Sequence, residues 1–495
     1  MKLTFRSRLA GIVAATACLS VLTTAWAPAA DRLELGIEEV ISTAISNNLD
    51  LQVEKLKPGI SENTVISEES VFDPVFFTDI SGSTRNEEKI LSDVDTTGYE
   101  VGGEVSKKFT PGTDVSLSLE YSEDEVDAID GTGEGSSTLT TLVVRQPLLK
   151  NRGRDVNLRS LSLAENDLKI SRLALTQAVI DTVSQAQRLY WQYYYTLAFL
   201  DVQRTSLNLA KESLEDMEER VRLGSSARLD LLSSKAEVAS REGAVIDAEN
   251  DVYNSRDALL NYIYSTIPSD VEVVCTDKPD FVELTLDETT LLDYAMLHRA
   301  DYLTQQINVR SAETDVVYFA NQRLPQLDIS GIVGVNSGDS DNETIQQLQS
   351  DDYQDYQYGM VTLSLEYPFG QRRDSANYAS TLLRKRQEVA SLEQLRTEVG
   401  LEVRTAMRDM RTAHQRYQAA LVASEYAKES LKTEQEKLAN GLSTSYQVLL
   451  KQRDLTDAKS TEVEAMVQFQ ITVINLHRAV GSTLEQHHIE FDEQS

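Results

Sequence analysis

The fold of this chain is decided by residues 179–200, which read VIDTVSQAQRLYWQYYYTLAFL. Apolar side chains recur there at alternating steps of four and three, at Val179, Val183, Ala186, Tyr190, Tyr193, Leu197 and Leu200. This spacing is typical of a coiled-coil seam. Neither proline nor glycine occurs from Asp155 to Leu223, and a helix of that length would span about 100 Å at ~1.5 Å per residue. The chain is therefore predicted to be elongated.

The seam continues beyond a glycine break. After Gly224, apolar residues recur every seventh position at Leu231, Val238, Val245, Val252 and Leu259. A parallel seam of mostly small residues lies at Leu232, Ala236, Ala239, Gly243 and Ile246. The second half keeps the same step at Val403, Ala406, Met410, Ala413, Tyr417, Ala420, Ala427, Leu431 and Leu438. Two seams on one helix predict neighbours on both sides, as in a closed ring of helices.

Composition excludes several classes of protein. The 495 residues include 47 Lys and Arg against 79 Asp and Glu, a net charge of −32. This net charge excludes electrostatic binding of nucleic acid as the main function, because neutralising phosphates needs a basic surface. Two Cys exclude a disulfide framework, and Cys275 is predicted to pack rather than react. With no HExxH, GxSxG or Cys/His cluster, no catalytic, cofactor or metal site is predicted, and His487-His488 is assigned to a solvated tail.

The N-terminus predicts export from the cytoplasm. Basic residues precede an apolar stretch from Leu9 to Leu22, and Ala27-Pro28-Ala29 offers small residues for cleavage. Residues 1–29 are therefore predicted to be a signal peptide, in preference to a retained anchor or an acylated Cys18. Cleavage would leave a net charge of −35. No later apolar run approaches the ~20 residues that a helical span needs, so membrane insertion would require strands.

The chain contains an internal repeat. Asn48-Leu49-Asp50-Leu51 recurs as Arg299-Ala300-Asp301-Tyr302, and Pro74 recurs as Pro325, both at an offset of 251. Later landmarks recur at 221 (Pro147 and Pro368) and 217 (Gly224 and Gly441), so the first half carries about 30 extra residues between its two prolines. This organisation divides the chain into a first repeat at 30–264, a linker at 265–286, a second repeat at 287–481 and a tail at 482–495. Strands are expected at about 75–146 and 326–367, and helical hairpins at about 155–264 and 374–481.

The strand regions alternate apolar and polar residues. Val115, Leu117, Leu119 and Tyr121 alternate with serines and Glu120, and Val361, Leu363, Leu365 and Tyr367 repeat the pattern. Both a soluble sandwich and a transmembrane barrel would use this alternation. Pro111-Gly112 predicts a turn within the extra material, and the acidic stretches at 123–135 and 338–352 are expected to be long loops on an outer rim.

These landmarks together resemble the TolC-like outer membrane efflux family. The resemblance covers nearly all of the chain after the predicted signal peptide. It rests on the order of the motifs Asn47-Asn48-Leu49-Asp50-Leu51, Arg145-Gln146-Pro147-Leu148-Leu149, Arg299-Ala300-Asp301 and Leu365-Glu366-Tyr367-Pro368-Phe369-Gly370, with the tips at 222–232 and 440–450. The family fold is mainly α with a membrane β-barrel portion. Two repeats supply long coiled-coil helices for a periplasmic α-barrel, joined to a trimeric β-barrel of the 12-stranded type with four strands per protomer. Two placements stay open for the hairpin around Pro111-Gly112 in the extra residues: it extends a strand pair or it lies outside the barrel.

The same resemblance implies a function and partners. It implies a homotrimeric exit duct of a tripartite efflux pump or type I secretion system, located in outer membrane lipid with a periplasmic helical extension. Its partners would be a periplasmic adaptor protein and an inner-membrane transporter. The alternative is a structural coiled-coil protein of the envelope with soluble β-domains and no transport activity.

The two glycine breaks are the functional ends by this resemblance. Candidate residues for adaptor docking and gating are Arg220, Arg222, Gly224, Asp230, Asn440, Gly441, Ser443, Tyr446 and Gln447. Asp230 matches a tip aspartate of the family and equally suits a charge at a helix N-terminus. Gln447 and Leu450 stand where the family often places aspartates, and Leu438 and Ser443 replace a locking Tyr and Arg. The closed gate is therefore expected to be built differently here.

Overall fold

The computed structural model describes residues 32–89, 92–128, 131–264, 271–279, 281, 287–340 and 355–489. The predicted signal peptide lies outside these residues, as does most of the predicted rim loop at 338–352. Among the described residues, no helix is both long enough and apolar enough to cross a membrane.

Each half of the chain begins with a bent pair of helices. In the first half these are α1 (Ile37–Asn47) and α2 (Leu49–Glu69). Their counterparts are α6 (Glu288–His298) and α7 (Ala300–Gln322). At each bend one side chain ties the helices to the end of a long hairpin: Asn48 Nδ2 donates to the Tyr262 carbonyl at 3.2 Å, and an Arg299 guanidinium nitrogen donates to the Ala479 carbonyl at 2.8 Å. The two bends thus make equivalent contacts to the hairpins, although the residues that make them are of different types.

Two long helical hairpins dominate the molecule. The first consists of α4 (Arg159–Arg222) and α5 (Arg228–Ile263), preceded by the short α3 (Arg154–Asn157). The second consists of α8 (Arg372–Ala439) and α9 (Ser445–Val480), followed by the short α10 (Thr483–Gln486). The helices of 64 and 68 residues span about 100 Å each. The hairpins pack together mainly through α4 and α9.

The predicted seams are buried where they face another helix. Val179, Val183, Ala186, Tyr190 and Val403 are fully buried, and Met410 and Leu431 are nearly so. In contrast, the small-residue seam on α5 is exposed in the protomer at Leu232, Ala236, Ala239, Gly243 and Ile246. The protomer therefore covers one seam of α5 and leaves the other open.

Six of the eight described strands form an antiparallel sheet in the order β2-β3-β4-β5-β7-β8. Their bounds are β2 (Val75–Lys89), β3 (Ser92–Lys108), β4 (Asp114–Ala128), β5 (Gly131–Pro147), β7 (Gln326–Ser340) and β8 (Tyr356–Glu366). The two repeats meet between β5 and β7, where Leu142 lies opposite Val333.

The described sheet has six strands, whereas the resemblance implied four barrel strands per protomer. The first repeat contributes two hairpins and the second contributes one, counted over the described residues. The extra residues between Pro74 and Pro147 lengthen the sheet because their alternating side chains allow a complete ladder from β2 to β5. The predicted turn at Pro111-Gly112 joins β3 to β4, with Gly112 at φ 94°.

The expected loop at 123–135 is also corrected, because most of it belongs to β4 and β5. Glu123 lies opposite Ser136, and Glu125 lies opposite Glu134. Backbone ladder bonds do not depend on side-chain polarity, so an acidic, serine-rich stretch can still pair as strands when its side chains face water.

A compact region surrounds the middle of the helices. The segment predicted as a linker contributes β6 (Glu272–Cys275), which pairs in parallel with β1 (Arg32–Leu35). The aromatic run of α4 packs against this small sheet, and the Tyr193 hydroxyl donates to the Val273 carbonyl at 2.8 Å. The tail residue His487 is not solvated as expected: its side chain is 6% exposed, and its Nδ1 lies 2.9 Å from a Glu38 carboxylate oxygen.

Candidate functional site at the helical tips

The first tip is the turn between α4 and α5. Gly224 has a φ of 79°, a left-handed conformation that residues with a side chain rarely adopt. The N–H groups of Gly224 and Ser225 donate to the carbonyls of Val221 and Arg220, at 3.0 and 2.9 Å. These bonds satisfy the last carbonyls of α4 and end it sharply.

Asp230 stabilises the start of α5. One of its carboxylate oxygens accepts a hydrogen bond from the N–H of Ala227 at 3.3 Å, and the N–H of Asp230 donates to the Ala227 carbonyl at 3.0 Å. A carboxylate in the first turn also interacts favourably with the helix dipole. This geometry fits a charge at a helix N-terminus, one of the two roles that the sequence allowed for Asp230.

The second tip repeats the first tip's turn 217 residues later. Gly441 has a φ of 74°, and the N–H of Leu442 donates to the Lys437 carbonyl at 2.8 Å. Asn440 donates its side-chain amide to the Glu436 carbonyl at 2.8 Å, and the Ser443 hydroxyl donates to Glu434 at 2.5 Å. The N–H of Gln447 donates to the Thr444 hydroxyl, which caps α9.

A groove of about 560 Å³ lies between the two tips. Of the predicted residues it brings together Arg220, Asp230, Ser443 and Tyr446. Arg222, Gly224, Asn440, Gly441 and Gln447 lie outside its lining. Arg220 and Arg222 pair along their own helix with Asp216 and Glu219, at 2.9 and 3.2 Å.

The end of the hairpins exposes large apolar side chains. Leu223, Leu229, Leu442 and Tyr446 are between 63% and 78% exposed. Large apolar side chains that cluster on an exposed surface are typical of a surface that binds another protein. The tips therefore combine an apolar rim with a polar groove.

Sequence reasoning missed a charged cluster that joins the hairpins at the groove, which Glu237 helps to line. The carboxylate of Glu237 on α5 is 7% exposed and accepts from Arg241 at 2.9 Å and from Arg453 on α9 at 3.3 Å. Burial by itself raises the pKa of Glu237, but hydrogen bonds from Arg453 and Arg241 outweigh it and hold that pKa below its ordinary value. The carboxylate is therefore ionised at neutral pH.

One sequence signal could have pointed to this cluster. Glu237 and Arg453 occupy nearly equivalent positions in the two repeats, 216 residues apart where the tip glycines are 217 apart. Opposite charges at equivalent positions of two packed hairpins indicate a contact between them. To predict this ion pair, however, one must know which helices are adjacent.

The sheet provides a second candidate surface with two unlike faces. One face carries apolar side chains on all six described strands, listed here as Phe76, Ile80, Val101, Val105, Leu117, Leu119, Leu142, Val144, Ile329, Val333, Val361, Leu363 and Leu365. The opposite face carries Asp79, Glu100, Glu104 and Glu120, with serines and threonines between them. Such a sheet suits a wall with lipid on one side and water on the other.

The described residues include no group of three or more His, Cys, Asp or Glu side chains that could hold a metal ion. Arg145 and Asp328 form an ion pair at 2.6 Å on the polar face of the sheet, which fastens β5 to β7. The helical tips and the two-faced sheet are the two candidate functional surfaces described above.

A two-faced sheet joined to two hairpins whose longer helices span about 100 Å is typical of a channel-type protein. Comparisons with known proteins agree with this class. The sequence model of the family "Outer membrane efflux protein" matches residues 103–263 and 291–482. The chain belongs to that family, and it is an efflux exit channel of the outer membrane.

Individual relatives are distant in sequence and close in fold. The outer membrane protein TolC of Vibrio cholerae is 24% identical over 320 residues, which is 63% of this chain and 70% of that protein. A membrane protein from Pseudomonas aeruginosa superposes with a TM-score of 0.65 at 17% identity, over 90% of this chain and 93% of that one. The open state of the MtrE channel of Neisseria gonorrhoeae gives 0.64 at 16% identity, over 93% and 91%.

Proposed function

We propose that this protein is the passive exit duct of a tripartite efflux pump or type I secretion system. Three copies would surround one conduit, a periplasmic adaptor would dock at the helical tips, and an inner-membrane transporter would supply the energy. The single observation that carries the proposal is the union of a two-faced sheet with hairpins whose apolar tips lie at their far end.

The exposed seam on α5 supports assembly from several copies. Leu232, Ala236, Ala239, Gly243 and Ile246 repeat at the spacing of a buried seam and yet are exposed in the protomer. Small residues at such spacing allow a neighbouring helix to approach closely. A second copy packed there would extend the helices into a ring.

The charged cluster supports a gate at the tips. Glu237 and Arg453 connect the first hairpin to the second just above the tip turns, so the hairpins cannot separate there without breaking this contact. We propose that the contact holds the tips closed and that adaptor binding supplies the energy to break it. It would replace the Tyr and Arg lock that the sequence lacks at Leu438 and Ser443.

The proposal is tested with the full-length protein purified from outer membranes in detergent. We expect a trimer that migrates differently before and after heating on a denaturing gel, and ion conductance when it is inserted into a planar bilayer. A monomer that stays soluble without detergent and conducts no ions would favour the structural coiled-coil alternative instead.

A further inference from the structure

The sheet ends on both sides in an edge that the described residues leave open. β2 has 15 residues and β8 has 11, and within the described ranges each pairs with one strand only. The apolar face next to these edges includes Ile80, 79% exposed, and Val361, 75% exposed. A row of unpaired backbone groups cannot face hydrocarbon, so a sheet with such a face needs partners for its edges.

The directions of the two edge strands allow them to pair with each other. Neighbouring strands of the sheet are antiparallel throughout, so with six strands β2 and β8 run in opposite directions. The β8 edge of one copy can therefore pair with the β2 edge of the next and continue the antiparallel order. In this pairing, Val75 of one copy is aligned with Glu366 of the next, since both lie at the strand ends nearest the helices. Ile80 then lies beside Val361, and both stay on the apolar face.

The register shift between neighbouring strands corresponds to the strand tilt of a closed cylinder. A line of paired residues starting at Val75 drifts along the strands until it meets Met360, six residues before β8 ends at Glu366. It passes through Ser106, Ser116, Val143 and Ile332. With the ends aligned, this is about one residue per strand. A rise of ~3.3 Å against a strand spacing of ~4.8 Å then corresponds to a tilt of about 35°, within the usual range for closed cylinders of strands.

We propose that all six strands of each protomer form the wall, and that β2 of one copy pairs with β8 of the next to close a cylinder of eighteen strands. The inference rests on the three-copy assembly of the proposed function. A second copy of this chain would occupy each open edge. Both hairpins of the first repeat would then belong to the wall.

The number of strands sets the width of the conduit. Cylinder diameter grows roughly linearly with strand number, and walls of 16–18 strands enclose a water-filled channel. Eighteen strands would give about 1.5 times the diameter of a twelve-stranded wall. The polar face with Glu100 and Glu120 would line this channel. The narrowest part of the duct would then lie at the helical tips.

Cysteine cross-linking tests which strand meets β8. One variant combines Asp79→Cys on β2 with Thr362→Cys on β8, which the aligned register places opposite each other. The matched variant combines Ser118→Cys on β4 with Thr362→Cys, since β4 would be the edge of a four-stranded contribution. After oxidation with copper phenanthroline in outer membranes, we expect covalent dimers and trimers as the major species for the β2 variant. The β4 variant and the single-cysteine variants should remain monomeric on a denaturing gel.

Other outcomes separate the inference from the proposed function. Efficient cross-linking from β4 would show a four-stranded contribution and overturn the inference while leaving the trimer intact. A trimer without cross-links from Phe77, Asp79, Ser81 or Ser83, each changed to Cys and tested against Thr362→Cys, would overturn it too. If no trimer can be isolated even without substitutions, the proposed function itself fails.

Discussion

At the scale of single residues, Glu237 connects the two hairpins near their tips. Its carboxylate is buried and shared between Arg241 and Arg453. Glu237→Gln keeps the shape of the side chain and removes its charge. Losing a hydrogen bond to a charged group costs about 1.5–3 kcal/mol, which corresponds to roughly a tenfold to hundredfold shift of a two-state equilibrium. We expect this variant to open the tips more often and to raise mean conductance in planar bilayers.

The matched control for that substitution is Glu249→Gln. Glu249 pairs with Arg204 at 2.8 Å, but both side chains are about half exposed and belong to the same hairpin. Exposed ion pairs contribute little, so conductance should stay as in the unsubstituted protein. Equal conductance of the Glu237 variant and the control would contradict a role for this contact in gating.

The charge of Glu237 also predicts how the gate responds to acid. Its pKa in the folded protein lies below the ordinary value. Such a carboxylate stabilises the closed arrangement above its unfolded pKa, and this stabilisation is lost as pH falls through the lowered pKa. Conductance should therefore stay constant from neutral pH to about 4.3, the ordinary Glu value, and rise only below it. The Glu237→Gln variant should lack this rise.

Cys275 is expected to be chemically inert in the folded protein. Burial raises the pKa of its thiol to about 12, and only the thiolate reacts readily with alkylating agents. We expect iodoacetamide at pH 8 to modify Cys275 only after unfolding, as measured by mass spectrometry of the intact chain. Rapid modification of the native protein would show that the compact middle region opens locally.

At the scale of elements, the long helices could be predicted because their signal is local. Val179, Val183 and Ala186 repeat at a helical step, and the structure buries all three. The contact between Glu237 and Arg453 could not be predicted from the same rules, because it depends on which helices of separate hairpins lie side by side. The bend contacts of Asn48 and Arg299 were similarly invisible, although the repeat itself placed these residues at equivalent positions.

Strand number escaped prediction for a different reason. Apolar alternation marks β4 and β8 clearly, but β3 and the far half of β5 are rich in Gly, Ser, Thr and acidic residues. Their pairing comes from the neighbouring strands through backbone bonds, which side-chain patterns record weakly. The acidic stretch at 123–135 therefore resembled a loop until its partners were known.

The tip turns give a prediction for the element as a whole. Gly224→Pro removes the N–H that bonds the Val221 carbonyl and cannot adopt a φ of 79°. We expect export to fall sharply while trimers and membrane insertion persist. Gly224→Ala is the matched control. Its added methyl group meets nothing within 4 Å, and its left-handed backbone costs only about 1–2 kcal/mol, so export should fall less. Loss of trimers in the proline variant would contradict the assignment of the tips.

At the scale of the whole molecule, the acidity of the chain is expected to act along the proposed conduit. Glu100 and Glu120 lie on the polar face of adjacent strands, so negative charge would line the water-filled side of the wall. Rings of acidic side chains favour cations. We expect the double variant Glu100→Gln and Glu120→Gln to shift the reversal potential in a salt gradient toward weaker cation preference.

The control for this selectivity is Glu125→Gln. Glu125 lies on β4 but points to the opposite face from Glu120, so its neutralisation should leave the reversal potential unchanged. An equal shift in both variants would mean that overall charge, rather than the lining of the conduit, sets the preference.

The even number of strands limits how such a wall can change. The chain enters the sheet from the helices at Val75 and returns to them after Glu366, on the same side of the sheet. Strands can therefore be inserted or removed only in pairs, because an odd number would place the helices on the opposite side of the membrane. In the proposed assembly of three copies, one hairpin added to the chain adds two strands per copy. The circumference of the wall therefore changes in steps of six strands. In the proposed duct, finer adjustment of what passes through would fall to the tips, where single side chains can be exchanged one at a time.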